Sequence, residues 1–244
     1  VHAPEFAFEK VTENVEKAVV DASIKYPVAL DNSFATWQAY ENRFWPAKYL
    51  IDKDGQVRYT HFGEGDYAET EETIQVLLKE SGQTVSDKIE ANLSSGTSVR
   101  GQTPETYLGY ERAERFANAT QFVADKPVDY TLMDQLEEHE WSLGGQWQIN
   151  DESSQSLSDG SKLRINFSAK EVYLVMSGAP GTLVGVSVDG LNAPGGVDVN
   201  AQSQVKLDGA RLYKIVNADN YMTKKQLTLT IPTGITVNAF TFGG

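Results

Sequence analysis

The spacing of apolar residues changes once along this 244-residue chain, and that change constrains what each part can fold into. Near the start, Val11, Val15, Val19 and Ala22 recur every three to four residues, laying one apolar stripe along a helix over 9–23. Tyr26-Pro27-Val28-Ala29 reads as extended, because a residue before proline is pushed out of the helical region. Ser33 is expected to cap a short helix that carries Phe34, Trp37 and Tyr40 on one face. Ala47–Ile51 and Val57–Phe62 read as strands. The Asp52-Lys53-Asp54-Gly55 between them supplies turn chemistry, so the two should pair as an antiparallel hairpin. Thr70–Glu80 is amphipathic, with Ile74, Leu77 and Leu78 inward and Gly82 in the C′ position.

From 83 to 103 the periodicity fades into polar sequence such as Ser94-Ser95-Gly96-Thr97-Ser98, a linker by composition. Beyond it the period becomes two. Leu163, Ile165 and Phe167 alternate with polar residues, as do Val172, Leu174 and Met176, Val184, Val186 and Val188, and Leu227, Leu229 and Ile231. Short strands separated by Gly, Asn and Asp, without a strong helix, predict an antiparallel sandwich. The expected organisation is an α/β domain over 1–82, a linker over 83–103 and an all-β domain over 104–244.

Several function classes fall away on composition. The formal charge of −13, with no basic run longer than Lys224-Lys225, opposes binding to nucleic acid. There is no cysteine, so the chain has no disulfide, thiolate metal site or cysteine nucleophile of its own. His2, His61 and His139 are scattered, with no two at metal-ligand spacing, and no cofactor or metal is expected. Asp189-Gly190 and Gly195-Gly196-Val197-Asp198-Val199 read as hairpin turns rather than calcium loops. No G-x-S-x-G elbow occurs. The sequons at Asn92, Asn118 and Asn166 matter only in a glycosylating host.

The stretch from Tyr26 to Gly65 carries the most chemistry. A proline directly before a strand, then an Asp-Lys-Asp-Gly hairpin and a glycine pair, resembles the thioredoxin-like TlpA/alkyl-hydroperoxide-reductase superfamily. That resemblance implies a cis Trp45-Pro46 peptide in the loop that presents substrate to a CxxC; without it, Pro46 could simply open an edge strand. The phrases VHAPEFAFEKV, FWPAKYLIDKDG, RYTHFGEG and TPETYLGYERA resemble the DipZ family, as do VYLVMSG, VSVDG, GGVDV, RLYKIV and the terminal AFTFGG. The family joins a CcdA-type membrane domain that conducts electrons to an extracytoplasmic thioredoxin-like domain and a β-sandwich resembling carbohydrate-binding modules.

The resemblance implies a thioredoxin-like domain lacking its first strand and CxxC helix, followed by a jelly-roll-like sandwich. The catalytic CxxC is expected upstream of Val1, and an open or filled gap beside Ala47–Ile51. It further implies an extracytoplasmic, membrane-tethered thiol–disulfide oxidoreductase, inactive in redox chemistry as this chain stands. Its partners would be protein thiols or disulfides and the upstream membrane domain. The alternative is a binding or docking role for the sandwich, toward a cell-envelope glycan or a protein. Aromatic rings can floor a sugar site, so Trp141, Trp147, Tyr107 and Tyr110 are the glycan candidates. For the two tryptophans the competing reading is sandwich core, and for the two tyrosines it is packing between the domains.

Overall fold

The computed structural model describes residues 1–85 and 100–244. Two units emerge: Val1–Glu5 with Lys25–Thr97, and Phe6–Ile24 with Ser98–Gly244. The stripe expected to make a helix over 9–23 forms a 3₁₀ turn, Ala7–Lys10, and then helix α1, Thr12–Asp21. This helix belongs to unit 2 and not to the α/β part expected over 1–82. Phe6 is the reason, for its ring is 2% exposed and clusters with Val175 and Ala239, with Tyr107 alongside. The first five residues return to unit 1, where His2 pairs with Leu30 through His2 N–H to Ala29 O and Asp31 N–H to His2 O.

Within unit 1, helix α2 (Ala35–Ala39) is capped by Asp31 and not by Ser33. The Asp31 carboxylate accepts from the Thr36 and Trp37 N–H groups at 3.0 and 2.8 Å, satisfying donors that a helix start leaves open. Strands β1 (Ala47–Ile51) and β2 (Val57–Phe62) form the antiparallel hairpin, with the Asp52 side chain accepting from the Asp54 and Gln56 N–H groups across the turn. Helix α3 (Tyr67–Glu80) follows. It ends in a Schellman motif: Gly82 lies at φ +84°, Gly82 N–H reaches Lys79 O and Gln83 N–H reaches Leu78 O. The inward side expected for Ile74, Leu77 and Leu78 is only partly covered, and Leu78 is exposed. Among the described residues, every buried hydrophobic side chain lies in unit 2.

Unit 2 is an antiparallel β structure of ten strands: β3 (Thr106–Tyr107), β4 (Pro127–Tyr130), β5 (Trp141–Ile149), β6 (Ser154–Ser156), β7 (Ser161–Ser177), β8 (Leu183–Val188), β9 (Leu191–Asn192), β10 (Gln204–Lys206), β11 (Arg211–Ile231) and β12 (Thr236–Gly243). The runs around Leu163 and Val172, expected as separate strands, are one 17-residue strand, β7. Its first half pairs with β5 and the end of β11, and its second half with β12 and the start of β11. β12 pairs with β6 and β6 with β5, so the ladder β7–β12–β6–β5–β7 closes on itself. Register shifts in β11 between Lys214 and Lys225 mark the irregular middle of its pairing with β7, where long strands bend. Leu163, Ile165, Phe167, Leu174, Leu227 and Leu229 all turn inward and are fully buried. Residues 86–99 of the expected linker lie outside the described residues, whereas Thr103 is buried in unit 2, its N–H on Ser168 O and its hydroxyl on His139 Nδ1.

Candidate functional site

In unit 1 the Trp45-Pro46 peptide is cis and leads directly into β1. Pro46 O accepts from Gly63 N–H at 2.8 Å, which sets the phase of the ladder. By the alternation of an antiparallel pair, the N–H and C=O groups of Lys48 and Leu50 turn towards β2, and those of Ala47 and Tyr49 turn away. Among the described residues β1 has no ladder partner on that second edge.

A cleft of ≈ 420 Å³ lies there, lined among others by Trp37, Tyr40, Phe44, Trp45, Pro46 and Tyr49. Its aromatic rings hold one another: Trp37 and Trp45 at 4.3 Å between centroids, Phe34 edge-on to Trp37 at 6.0 Å, and Tyr40 edge-on to Tyr49 at 5.0 Å. Tyr49 OH donates to Asn42 Oδ1 at 3.0 Å, and Asn42 Nδ2 donates to Phe44 O at 2.9 Å, tying the loop before the proline to the strand after it. Trp45 nonetheless keeps 50% of its surface exposed, and Phe44 and Tyr40 are also exposed.

The one carboxylate in the lining is Asp31. Burial pushes its carboxyl up, but the Trp37, Thr36 and Ala35 N–H groups outweigh that and hold it below the ordinary value. At neutral pH Asp31 is therefore an ionised structural cap. The cleft can receive an apolar, extended segment along a strand edge; it has no thiol of its own.

The glycan candidates of unit 2 separate into three cases. Trp141 and Trp147 are both 0% exposed. Trp141 stacks on Phe116 at 4.2 Å and donates from Nε1 to Glu114 O at 2.8 Å, while Trp147 Nε1 donates to Gly144 O at 3.0 Å. With no ring face open, they are core residues, and the sugar-contact reading of this pair is corrected. Tyr107 is part-buried beneath the Arg112 guanidinium, 3.6 Å from its centroid, and its OH donates to Glu105. Tyr110 stays 38% exposed beside Phe122.

Other sequence candidates resolve as structure. Asn118 is buried, its Oδ1 accepting from Leu143 N–H and Ser142 OH and its Nδ2 donating to Thr131 O. Asn166 is buried as well, and Asn92 lies outside the described residues. Asp198 binds Arg211 and the Lys214 N–H, and Asp189 binds Lys225 and the Gln226 N–H. A second cleft, of ≈ 550 Å³, lies on unit 2 and contains Arg164, Asn166, Ser187, Asp189, Gln226 and Thr228. These side chains occupy the polar positions of the strand alternation, so the apolar pattern that marks the strands does not single them out.

Comparison with known proteins completes the assignment. The family described as Thioredoxin like C-terminal domain matches residues 103–243, which is the β structure of unit 2. Over its whole length the chain is 34% identical to Protein DipZ of Mycobacterium tuberculosis and to Protein DipZ of Mycobacterium bovis, covering 33% of each. It is 27% identical over 81 residues to the thiol-disulfide oxidoreductase YkuV of Bacillus subtilis, covering 33% of this chain and 55% of that protein. A family two carbohydrate esterase from Cellvibrio japonicus superposes with a TM-score of 0.35 and 16% identity, over 44% of this chain and 31% of that one, which is too distant to carry an argument. The chain thus spans about a third of the length of its DipZ relatives. With its phrases in order along the whole length and its thioredoxin-like C-terminal domain over 103–243, the chain belongs to the DipZ family.

Proposed function

We propose that unit 1 is the substrate-presenting part of a thiol–disulfide oxidoreductase, completed by a cysteine-bearing strand and helix that dock along the free edge of β1. One observation carries the reading: a strand edge without a ladder partner stands beside an aromatic cleft, in a unit whose two-stranded sheet buries no hydrophobic side chain among the described residues. A two-stranded sheet is marginal alone, and half-exposed Trp45, Phe44 and Tyr40 are apolar surface that a docked strand and helix would remove from water. In this view the thioredoxin-like domain is truncated in this chain, which is inert in thiol exchange because the thiolate is the nucleophile and the chain has none.

The longer protein, on the same reading, is membrane-tethered and extracytoplasmic, exchanging electrons with a membrane domain on one side and protein thiols or disulfides on the other. No helix among the described residues is long and apolar enough to cross a membrane. Unit 2 is read as the carbohydrate-binding-module-like sandwich that accompanies the redox unit.

The test is insulin disulfide reduction by this chain and by a longer protein in which a DipZ-type CxxC segment precedes Val1. The longer protein should reduce insulin, the present chain should not, and Trp45→Ala in the longer protein should lower turnover. No activity in the folded longer protein would refute the reading.

A further inference from the structure

The hairpin of unit 1 presents two different faces. Residues opposite one another in an antiparallel pair share a face, so Ala47, Tyr49, Thr60 and Phe62 lie on one side. Lys48, Leu50, Tyr59 and His61 lie on the other. The first side bears the aromatic cleft, to which Ala47 and Tyr49 contribute, and Tyr40 already packs on Tyr49 there. The second carries α3. Lys48 Nζ donates to Gly65 O at 2.8 Å, just ahead of that helix, and lies 4.1 Å from the centroid of the Tyr67 ring in its first turn. Room remains on this second face, for Leu50 and Tyr59 are only half-buried, and α3 itself leaves Ile74 and Leu77 half-covered.

Lys48 is the unusual member of that face. It is half-buried, and among the described residues its ammonium meets a carbonyl and a ring but no carboxylate. The acids flanking Gly65 are committed: Asp66 stands 3.5 Å from His61 Nδ1, and Glu64 accepts from the Tyr67 hydroxyl. His61, across the ladder from Lys48, adds a second nitrogen base and no negative charge, its Nε2 buried without a partner. Taking a charge out of water with no opposite charge beside it is costly. An ammonium has three donors, and one is spent on Gly65 O. An anion is the complement this corner calls for.

The place of Lys48 along β1 says which anion. It stands two residues past Pro46, at the end of the strand where the Trp45-Pro46 loop enters. On the redox reading that loop meets the CxxC, so the sulfurs arrive at this same end of β1. A strand paired to the second edge lies about 5 Å from β1, a gap that a flexible four-carbon stem spans. A lysine nearby favours the thiolate over the thiol, and the thiolate is the species that attacks a disulfide.

We propose that Lys48 sets the reactivity of the docked CxxC: its ammonium faces the cysteine sulfurs and holds one of them as the thiolate. The proposal deepens the redox reading of unit 1 and rests on it. The thiol proton leaves to solvent, while Lys48 stays charged throughout and exchanges neither proton nor electron.

The test uses the longer protein in which the CxxC segment precedes Val1, reduced, with the rate of alkylation by iodoacetamide followed against pH. Lys48→Met keeps the stem and removes the charge, so the lower of the two thiol midpoints should rise by about one pH unit or more. Lys48→Arg keeps the charge and should leave that midpoint near the parent's. His61→Gln, the control for disturbance of this face, should move it less than Lys48→Met does. Amide spectra of each variant report an intact fold, and insulin reduction by the parent is recorded alongside. No insulin reduction by the folded parent would overturn the redox reading and this proposal with it. Insulin reduction with a midpoint unmoved by Lys48→Met, or moved equally by Lys48→Met and Lys48→Arg, would overturn the role of Lys48 alone. A larger shift from His61→Gln than from Lys48→Met would do the same.

Discussion

Trp141→Ala is the substitution that most sharply separates core from ligand surface in unit 2. The indole is fully buried, lies 4.2 Å from the Phe116 ring and donates to Glu114 O. Truncating a buried Trp to Ala costs about 3–5 kcal/mol in lost transfer energy and cavity. The aromatic pair contributes about 0.5–1.5 kcal/mol of that, and the indole hydrogen bond about 0.5–1.5 kcal/mol more. Trp141→Phe keeps most of the packing and loses the donor, so about 1–2 kcal/mol is expected. The assay is urea denaturation read from the amide signals of β7 and β11, since two units need not unfold together. Trp45→Ala, a half-exposed position in unit 1, should leave those signals' transition within about 0.5 kcal/mol of the parent. A loss below about 1 kcal/mol for Trp141→Ala, at unchanged m, would refute the core assignment.

Three further expectations follow from particular contacts. Burial holds the His139 imidazole below its ordinary value, with Glu138 working the other way and Arg115 and Lys224 reinforcing it. The fold thus favours neutral His139. Unit 2 should be indifferent to this group above about pH 6.5 and lose stability as pH falls below that, when the unfolded chain takes up its proton first. His139→Asn, which tolerates the positive φ there, should flatten the decline of Tm between about pH 7 and 5. A Cβ on Gly109 would lie 2.2 Å from the Glu152 carbonyl carbon, so Gly109→Ala should destabilise unit 2 by about 1–3 kcal/mol or more, read from urea unfolding. Asp31→Ala should release the Thr36 and Trp37 amides to fast hydrogen exchange while leaving β7 unchanged; retained protection would contradict its capping role.

The parts of the fold legible in the sequence are those set by local chemistry. The Asp52–Gly55 turn announces its hairpin, and Gly82 announces the end of α3, because both depend on a few adjacent residues. The stripe on α1 says that one face is buried but not against what, and Phe6 decides that from outside the helix. The polar Lys170-Glu171 reads like a break, yet β7 runs through it because β12 and β11 continue to pair on either side. For Trp141 and Trp147 the clue was present: they share alternation with Leu143 and Ile149, which are also buried, so their phase places them in the core. Asp31 was hidden as a cap because Phe34 takes a left-handed conformation, shifting the helix start and letting a residue before Ser33 reach its N–H groups. The polar cleft could not be read from any one strand, since Arg164, Gln226 and Ser187 meet only through the register of β7, β11 and β8.

The central question is whether the second edge of β1 is where a cysteine-bearing strand pairs. Hydrogen exchange at Ala47 and Tyr49, the residues whose backbone turns away from β2, measures this directly, with Lys48 and Leu50 as the internal reference already paired to β2. In a protein in which the CxxC segment precedes Val1, the Ala47 and Tyr49 amides should slow by about 100-fold or more relative to the present chain, while Lys48 and Leu50 change less. Equal exchange of Ala47 and Tyr49 in the two proteins, with the CxxC segment folded, would contradict the account.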